Sequence, residues 1–209
     1  MAWHKGKWWP LYKPEWYSPN VSQFMFDPYS FGHVLHGLAL FYLWQAIGAA
    51  IGMAISGEEF QSLWKSHLVS MAGFIIMLIV ELGWELLENS KWVIEIFREN
   101  SGTYPYLSQD YPGDSVQNII GDLISCQAGF CLTWLFNFYF WMPLAMTVSA
   151  ICYIGIEIGL LVYMRDNGTL IVIQLICPNK TITKWQTDGV KKARSAQEDN
   201  CKCKCNICM

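Results

Sequence analysis

The sequence predicts an all-α integral membrane protein: a four-transmembrane-helix up-down bundle with both termini on the cytoplasmic or matrix side. Three observations predict it. Of 209 residues, 53% are hydrophobic and only 15% are charged, against about 25% charged in ordinary soluble domains. Four apolar runs approach the roughly 20 residues that cross about 30 Å of hydrocarbon. Of the 14 Lys and Arg residues, all but Lys65 fall in segments on one side of those runs, the asymmetry expected of the side from which the chain inserts. The net charge of −3 leaves no basic excess, so nucleic acid is not an expected partner.

The chain divides into a Trp-rich N-terminal strap at 1–32, a membrane bundle at 33–178 and a polar, Cys-rich tail at 179–209. The strap holds Trp3, Trp8, Trp9, Trp16 and Tyr17 among lysines and prolines. Trp and Tyr settle at headgroup level, so this segment is expected at the membrane interface. It lacks the continuous apolar stretch of a signal peptide.

Within the bundle the spans are expected at about 33–56, 66–88, 115–136 and 140–164. Only Asn137, Phe138 and Tyr139 separate the last two, which makes them a tight antiparallel hairpin. The loop after the second span contains SKWVIEIFRENSG, an expected short amphipathic helix with Trp92, Ile96 and Val93 on its apolar face and Gly102 just past its end. The apolar stretch 168–177 is too short to span and is expected in the interface. Beyond it, VKKARSAQEDN reads as disordered. Small residues at Gly48, Gly52, Gly155 and Gly159 are expected to allow close helix approach.

An ionisable side chain at membrane depth costs roughly 2.5–3.5 kcal/mol, so each one requires a partner. Here they are concentrated at one end. His33 and His36 share a face at i, i+3; Glu81, Glu85 and Glu88 share another; Asp114, Asn118 and Asp122 follow at i+4 intervals; Glu157 lies two turns before Arg165 and Asp166. At about 1.5 Å per residue, Glu81, Asp122 and Glu157 lie roughly 10–12 Å in from their helix ends, at similar depth. The opposite half is expected to be almost purely apolar.

Four chemistries suit these residues. They can satisfy one another as buried ion pairs that register the helices, with Asp114 and Ser115 capping the third span. They can hold a divalent metal, because imidazoles and carboxylates converging in a four-helix bundle build carboxylate-bridged metal centres; the candidate ligands are His33, His36, Glu81, Glu85, Asp122 and Glu157, although paired Glu-x-x-His motifs are absent. Arg165, with Asp166, Asn167, Asp114 and Ser115 near it at the interface, can join the histidines to hold a lipid headgroup phosphate while Glu81 or Glu85 acts as base. Asp122, Glu157 and Glu81 can also line an ion path. Separately, Cys201, Cys203, Cys205 and Cys208 crowd the tail, a donor set suited to Zn or Cu(I). Cys126, Cys131, Cys152 and Cys177 are expected to be packing residues.

DPYSFGHVLHG, ELGWELLENSKWVIEIFRE, YPGDSVQNIIGD and YMRDNGTLIVIQLICP with KWQ following resemble, in motif order and spacing over about 27–187, an uncharacterised family of small inner-membrane proteins best known from alphaproteobacteria. By that likeness the family-type polar positions are His33, His36, Glu81, Glu85, Glu88, Asn89, Asp114, Ser115, Asn118, Glu157, Arg165, Asp166 and Asn167; it supplies no activity. Typical members begin with a further apolar segment and a Cys motif that this chain replaces with its strap, and the Cys-rich tail is foreign to them. The likeness with those departures implies a bacterial-type inner membrane, or the mitochondrial inner membrane as an organelle of bacterial ancestry. The expected function is therefore a non-catalytic accessory subunit of a larger membrane complex, with lipids and other membrane subunits as partners. The alternative is a metal-dependent or lipid-headgroup-handling membrane enzyme.

Overall fold

The computed structural model describes residues 11–16, 21–100, 113–167, 169, 170, 173, 177 and 179–207. The regular elements among the described residues are all helices, four of them long and apolar enough to cross a membrane. Helix α1 (Ser30–Ser56) is followed by the short α2 (Phe60–Trp64), α3 (His67–Glu88), α4 (Lys91–Asn100), α5 (Val116–Tyr139), α6 (Met142–Met164) and α7 (Lys180–Ile207). At about 1.5 Å per residue, the 27 residues of α1 reach about 40 Å and the 22 of α3 about 33 Å, enough for the hydrocarbon.

Local chemistry sets the boundaries. Gly57, at φ 71, closes α1 in the left-handed conformation, its N–H bonded to the Met53 carbonyl. The Ser66 and Ser115 hydroxyls accept from Val69 N and Asn118 N and so cap α3 and α5. Pro143 sits in the first turn of α6, where its missing N–H costs nothing. The α5–α6 hairpin turns at Phe140 and Trp141, not at 137–139. Asn137 stays inside α5 because its side chain has an acceptor there, the Trp64 carbonyl at 3.3 Å.

Helices α1 and α5 form the central pair, and α3 and α6 flank it, each packed on both. The central contact is backbone to backbone. A Cβ at Gly37 would run into the Cys126 carbonyl, and one at Gly129 into the Val34 carbonyl. Gly155 and Gly159, expected to play this part, face open space, and Gly48 and Gly52 meet only side chains of Trp44, Val69 and Leu63.

Apolar residues spread around α3 and α6 leave long rows exposed, among them Ile75, Ile79, Ile151, Ile154, Ile158 and Val162, as lipid-facing surfaces do. At one end of the bundle stand the start of α1, the end of α3, the start of α5 and the end of α6; we call this the polar end, and the opposite one the hairpin end.

Trp16 of the strap is buried against Leu35, Leu160 and Met164, and its neighbour Pro14 accepts from the Tyr163 hydroxyl. Two sequence expectations change here. Along α4 it is Ile94 that is buried, with Val93 beside it, while Trp92 is exposed. The tail is helical from Lys180, because Lys, Arg, Ala, Gln and Glu are good helix formers and Val190 and Gln186 bury against the bundle. Residues 1–10 and 17–20 of the strap, the Gly102 helix stop and most of the interfacial stretch 168–177 lie outside the described residues, as do the side chains of Cys201, Cys203, Cys205 and Cys208.

Candidate functional site

One turn of α1 carries His33 and His36 toward α3, where Glu81 and Glu85 stand on consecutive turns. His33 Nδ1 lies 2.7 Å from Glu81 Oε1 and 3.3 Å from Glu85 Oε1, and His36 Nδ1 is 3.1 Å from the same Glu81 oxygen. From α5, Asp122 Oδ2 lies 3.8 Å from His33 Nε2. Ligand atoms of His33, His36 and Glu81 lie within 4.8 Å of one another, and so do those of His33, Glu85 and Asp122. Glu81 and Glu85 are 2% and 1% exposed. Glu85 Oε1 makes no hydrogen bond to any described group, since the His33 N–H is directed at the nearer Glu81. Glu88 and Asp114 add negative charge beside Glu85.

The polar end is closed over this cluster by the segment ahead of α1. The Ser30 hydroxyl donates to Asp122 Oδ1 at 2.7 Å. Asp27 Oδ1 accepts from the backbone N–H groups of Tyr29 and Ser30, and Oδ2 accepts from Asn118, which also holds the Phe24 carbonyl at 2.9 Å. The Ser115 hydroxyl donates to the Gln23 carbonyl, and Gln23 Nε2 donates to Gly113 O. On the α3 side Asn89 Nδ2 donates to Asp114 Oδ2 at 2.9 Å, while Asp114 N donates back to Asn89 Oδ1 at 2.6 Å. Burial pushes the Asp27 carboxyl well above the usual range, helped by the charge of Asp114 and opposed by the Ser30 N–H and the Asn118 amide.

The remaining predicted residues assemble elsewhere. Glu157 is buried beside Tyr153 on α6 and near Asp166. Asp166 accepts from Asn167 N at 3.0 Å and from Gln186 Nε2 at 3.2 Å, and Asn167 Nδ2 donates to the Glu157 carbonyl. Burial raises the Asp166 carboxyl well above its ordinary value, the Asn167 N–H working against this and the Glu157 charge with it. Arg165, at φ 58, turns to α7: it donates to the Trp185 carbonyl at 2.9 Å and stacks on that ring. Of the predicted bundle cluster, His33, His36, Glu81, Glu85 and Asp122 meet, with Glu88 beside Glu85 and Asn118 in the closure, while Glu157 stands apart at the α6–α7 junction. Of the predicted interface set, Arg165, Asp166 and Asn167 are at that junction, and Asp114 and Ser115 belong to the closure.

The chain as a whole matches a known family. A family model described as "Protein of unknown function (DUF2585)" matches residues 2–188. The chain belongs to this family. It is similar to a UPF0314 protein of Brucella anthropi, 30% identical over 166 residues covering 79% of this chain and 69% of the relative. One from Rhizobium etli is 33% identical over 165 residues, covering 79% and 69%, and one from Paracoccus denitrificans is 31% identical over 176 residues, covering 84% and 76%. No solved structure matches the chain.

Four contributors were missed by reasoning about spans. Asp27 and Ser30 precede the expected first span, and their signal was local: an Asp three residues before a Ser at a helix start. Trp84 packs edge-on against His36 at 6.0 Å between centroids. Cys126 is more than packing, since its thiol lies against Glu81. The hairpin-end half, expected to be apolar, also holds polar groups. Gln45 Nε2 donates to Trp64 O and to the Ser70 hydroxyl, the Trp64 indole donates to Asn137 Oδ1, and Tyr42 pairs with Ser149. Neutral amides and hydroxyls lack the charge that made the polar end conspicuous in the sequence.

Proposed function

We propose that this membrane protein is a metalloprotein whose bundle holds a divalent first-row metal ion between His33, His36, Glu81 and Glu85, with Asp122 facing the same space. One observation carries the reading. Two triads of potential ligands, His33–His36–Glu81 and His33–Glu85–Asp122, share His33 inside the bundle, and among the described residues no Lys or Arg pairs with any of the five. Two histidines and a carboxylate on one face match the open-sided donor sets of non-haem iron and of catalytic zinc. Two neutral imidazoles and the two glutamates around a divalent ion leave no net charge, which is how such a group is tolerated in hydrocarbon.

The accessory-subunit reading requires the acids and imidazoles to satisfy one another. The His33 and His36 contacts to Glu81 favour it, but both end on one carboxylate oxygen, and Glu85 Oε1 is left without a hydrogen bond. The Lys and Arg asymmetry supports termini on the side from which the chain inserts, and the bacterial relatives support a bacterial-type inner membrane.

Metal analysis of protein purified in mild detergent without chelator tests the proposal. The expected result is a stoichiometric ion, lost in the His33→Ala/His36→Ala double variant and in Glu81→Gln and retained in a chain ending at Asn200. Metal lost only with the tail assigns it to the cysteines. Metal in none of them overturns the reading in favour of the accessory subunit.

A further inference from the structure

The five ligand candidates are unequally buried. The Glu81, Glu85 and Asp122 side chains are 2%, 1% and 6% exposed and that of His33 12%, whereas the His36 side chain is 40% exposed. His36 lies six residues into α1, about 9 Å from its start, and Glu81 seven residues before the end of α3, about 10 Å in. The exposed side of His36 therefore lies on the flank of a membrane-spanning helix, where its neighbour is Trp84, itself 39% exposed.

The aqueous end of the cluster has the opposite character. Gln23, Phe24, Asp27, Ser30, Asp114 and Asn118 are all buried there and tied to one another across three segments of chain. His33, Glu85 and Asp122 are the more buried members and His36 the most exposed, so a ligand exchanging on an ion held here would approach past His36.

Resting on the metal-centre reading above, we propose that the centre takes its exogenous ligand from the bilayer, through a lateral mouth between α1 and α3 framed by His36 and Trp84, and not from water. The ligand class follows from the depth and the donors. It is a membrane-dissolved amphiphile that presents an oxygen function, an ester carbonyl or a hydroxyl, about one and a half to two helical turns in from the helix ends. A divalent ion already neutralised by two carboxylates binds such an oxygen without demanding a charged headgroup, and a charged one would have to leave water to reach it. The indole of Trp84, beside His36 at the mouth, offers an apolar wall to the chain of such a molecule.

Two chelators with the same binding chemistry and different solubility test this on the metal-loaded full chain in lipid nanodiscs. Bathophenanthroline partitions into the bilayer; its disulfonate is confined to water. The expected result is faster metal loss to the lipid-soluble form, by roughly a hundredfold, the partition cost of a charge at this depth. Trp84→Ala should speed the lipid-soluble chelator alone, and Gln23→Ala, which loosens the aqueous closure, the sulfonated one alone. Equal rates for the two chelators, or faster loss to the sulfonated form, overturn the lateral mouth while leaving the metal centre standing. Protein that takes up no metal before chelator is added overturns the metal-centre reading and this inference with it.

Discussion

The two ends of the bundle handle buried polarity differently. At the hairpin end the polar groups are neutral amides, hydroxyls and indoles: Gln45 bridges Trp64 O and Ser70, Asn137 both accepts from and donates to Trp64, and Trp44 donates to Val69 O. Donors and acceptors nearly balance there, with Gln45 Oε1 left over. At the polar end carboxylates outnumber imidazoles, and one carboxylate oxygen receives both histidines. A neutral network can be completed by the chain alone and serves to hold helices together. An acid-rich network at membrane depth is tolerated only when protons or a bound cation neutralise it. On the metal-centre reading proposed above, the difference separates a structural device from a binding one.

The strongest way to break this comparison is to remove the imidazoles. His33→Ala/His36→Ala should abolish metal binding altogether, and it should lower thermal stability in chelator-free buffer far more than in EDTA, since a ligand that binds only the folded state stabilises it. Equal losses in both buffers would make the polar end structural like its counterpart.

Next in size is the helix contact that both ends share. Gly37→Ala forces a methyl into the Cys126 carbonyl and should destabilise the α1–α5 pair by about 1–3 kcal/mol, as core overpacking does. Gly155→Ala, facing open space, should be tolerated. Denaturation in mixed micelles reads both.

A similar magnitude is expected at the hairpin end, confined to stability. Gln45→Leu removes one of the two donors to Trp64 O and the donor to the Ser70 hydroxyl and should cost about 1–3 kcal/mol with metal content unchanged. If metal content falls as well, the two ends are coupled.

A smaller effect is expected from Asp166 at the α6–α7 junction. Burial holds its folded-state carboxyl well above the ordinary value, so between the two values the folded chain binds a proton that the unfolded chain does not. Stability contributed by the neutral form is present at low pH and falls as pH rises through the raised value. Asp166→Asn should flatten that dependence in a melting series against pH; a steeper curve would contradict the assignment. Smallest of all is the Lys184–Asp188 pair on the exposed face of α7, 2.8 Å apart. Lys184→Ala should leave the melting temperature unchanged, because exposed pairs of this kind contribute little.

The four long apolar helices begin and end within three residues of the expected spans, because run length is a property of composition alone. The hairpin turn was misplaced by a few residues because Asn137 looks like a loop residue until its partner on α2 is known. The polar end was legible in charge and helical spacing: His33, His36, Glu81, Glu85 and Asp122 do converge. Glu157 satisfied the same spacing and depth, yet it stands with Asp166. Spacing places a residue on a face of its helix, but it does not say which neighbour that face meets.

Sequence alone determined that the chain is helical and membrane-spanning, where each span runs, and that ionisable groups gather at one end, since each follows from a local balance between side chains and hydrocarbon. The tertiary structure decided the rest: which helices are central, which glycines allow their contact, that the acids form two groups and not one, and that Asp27 and Ser30 close the first group from the aqueous end. Those features depend on helix rotation and neighbour choice. A single residue turns a helix by about 100°, and the packing of backbone on backbone at Gly37 and Gly129 sets that rotation.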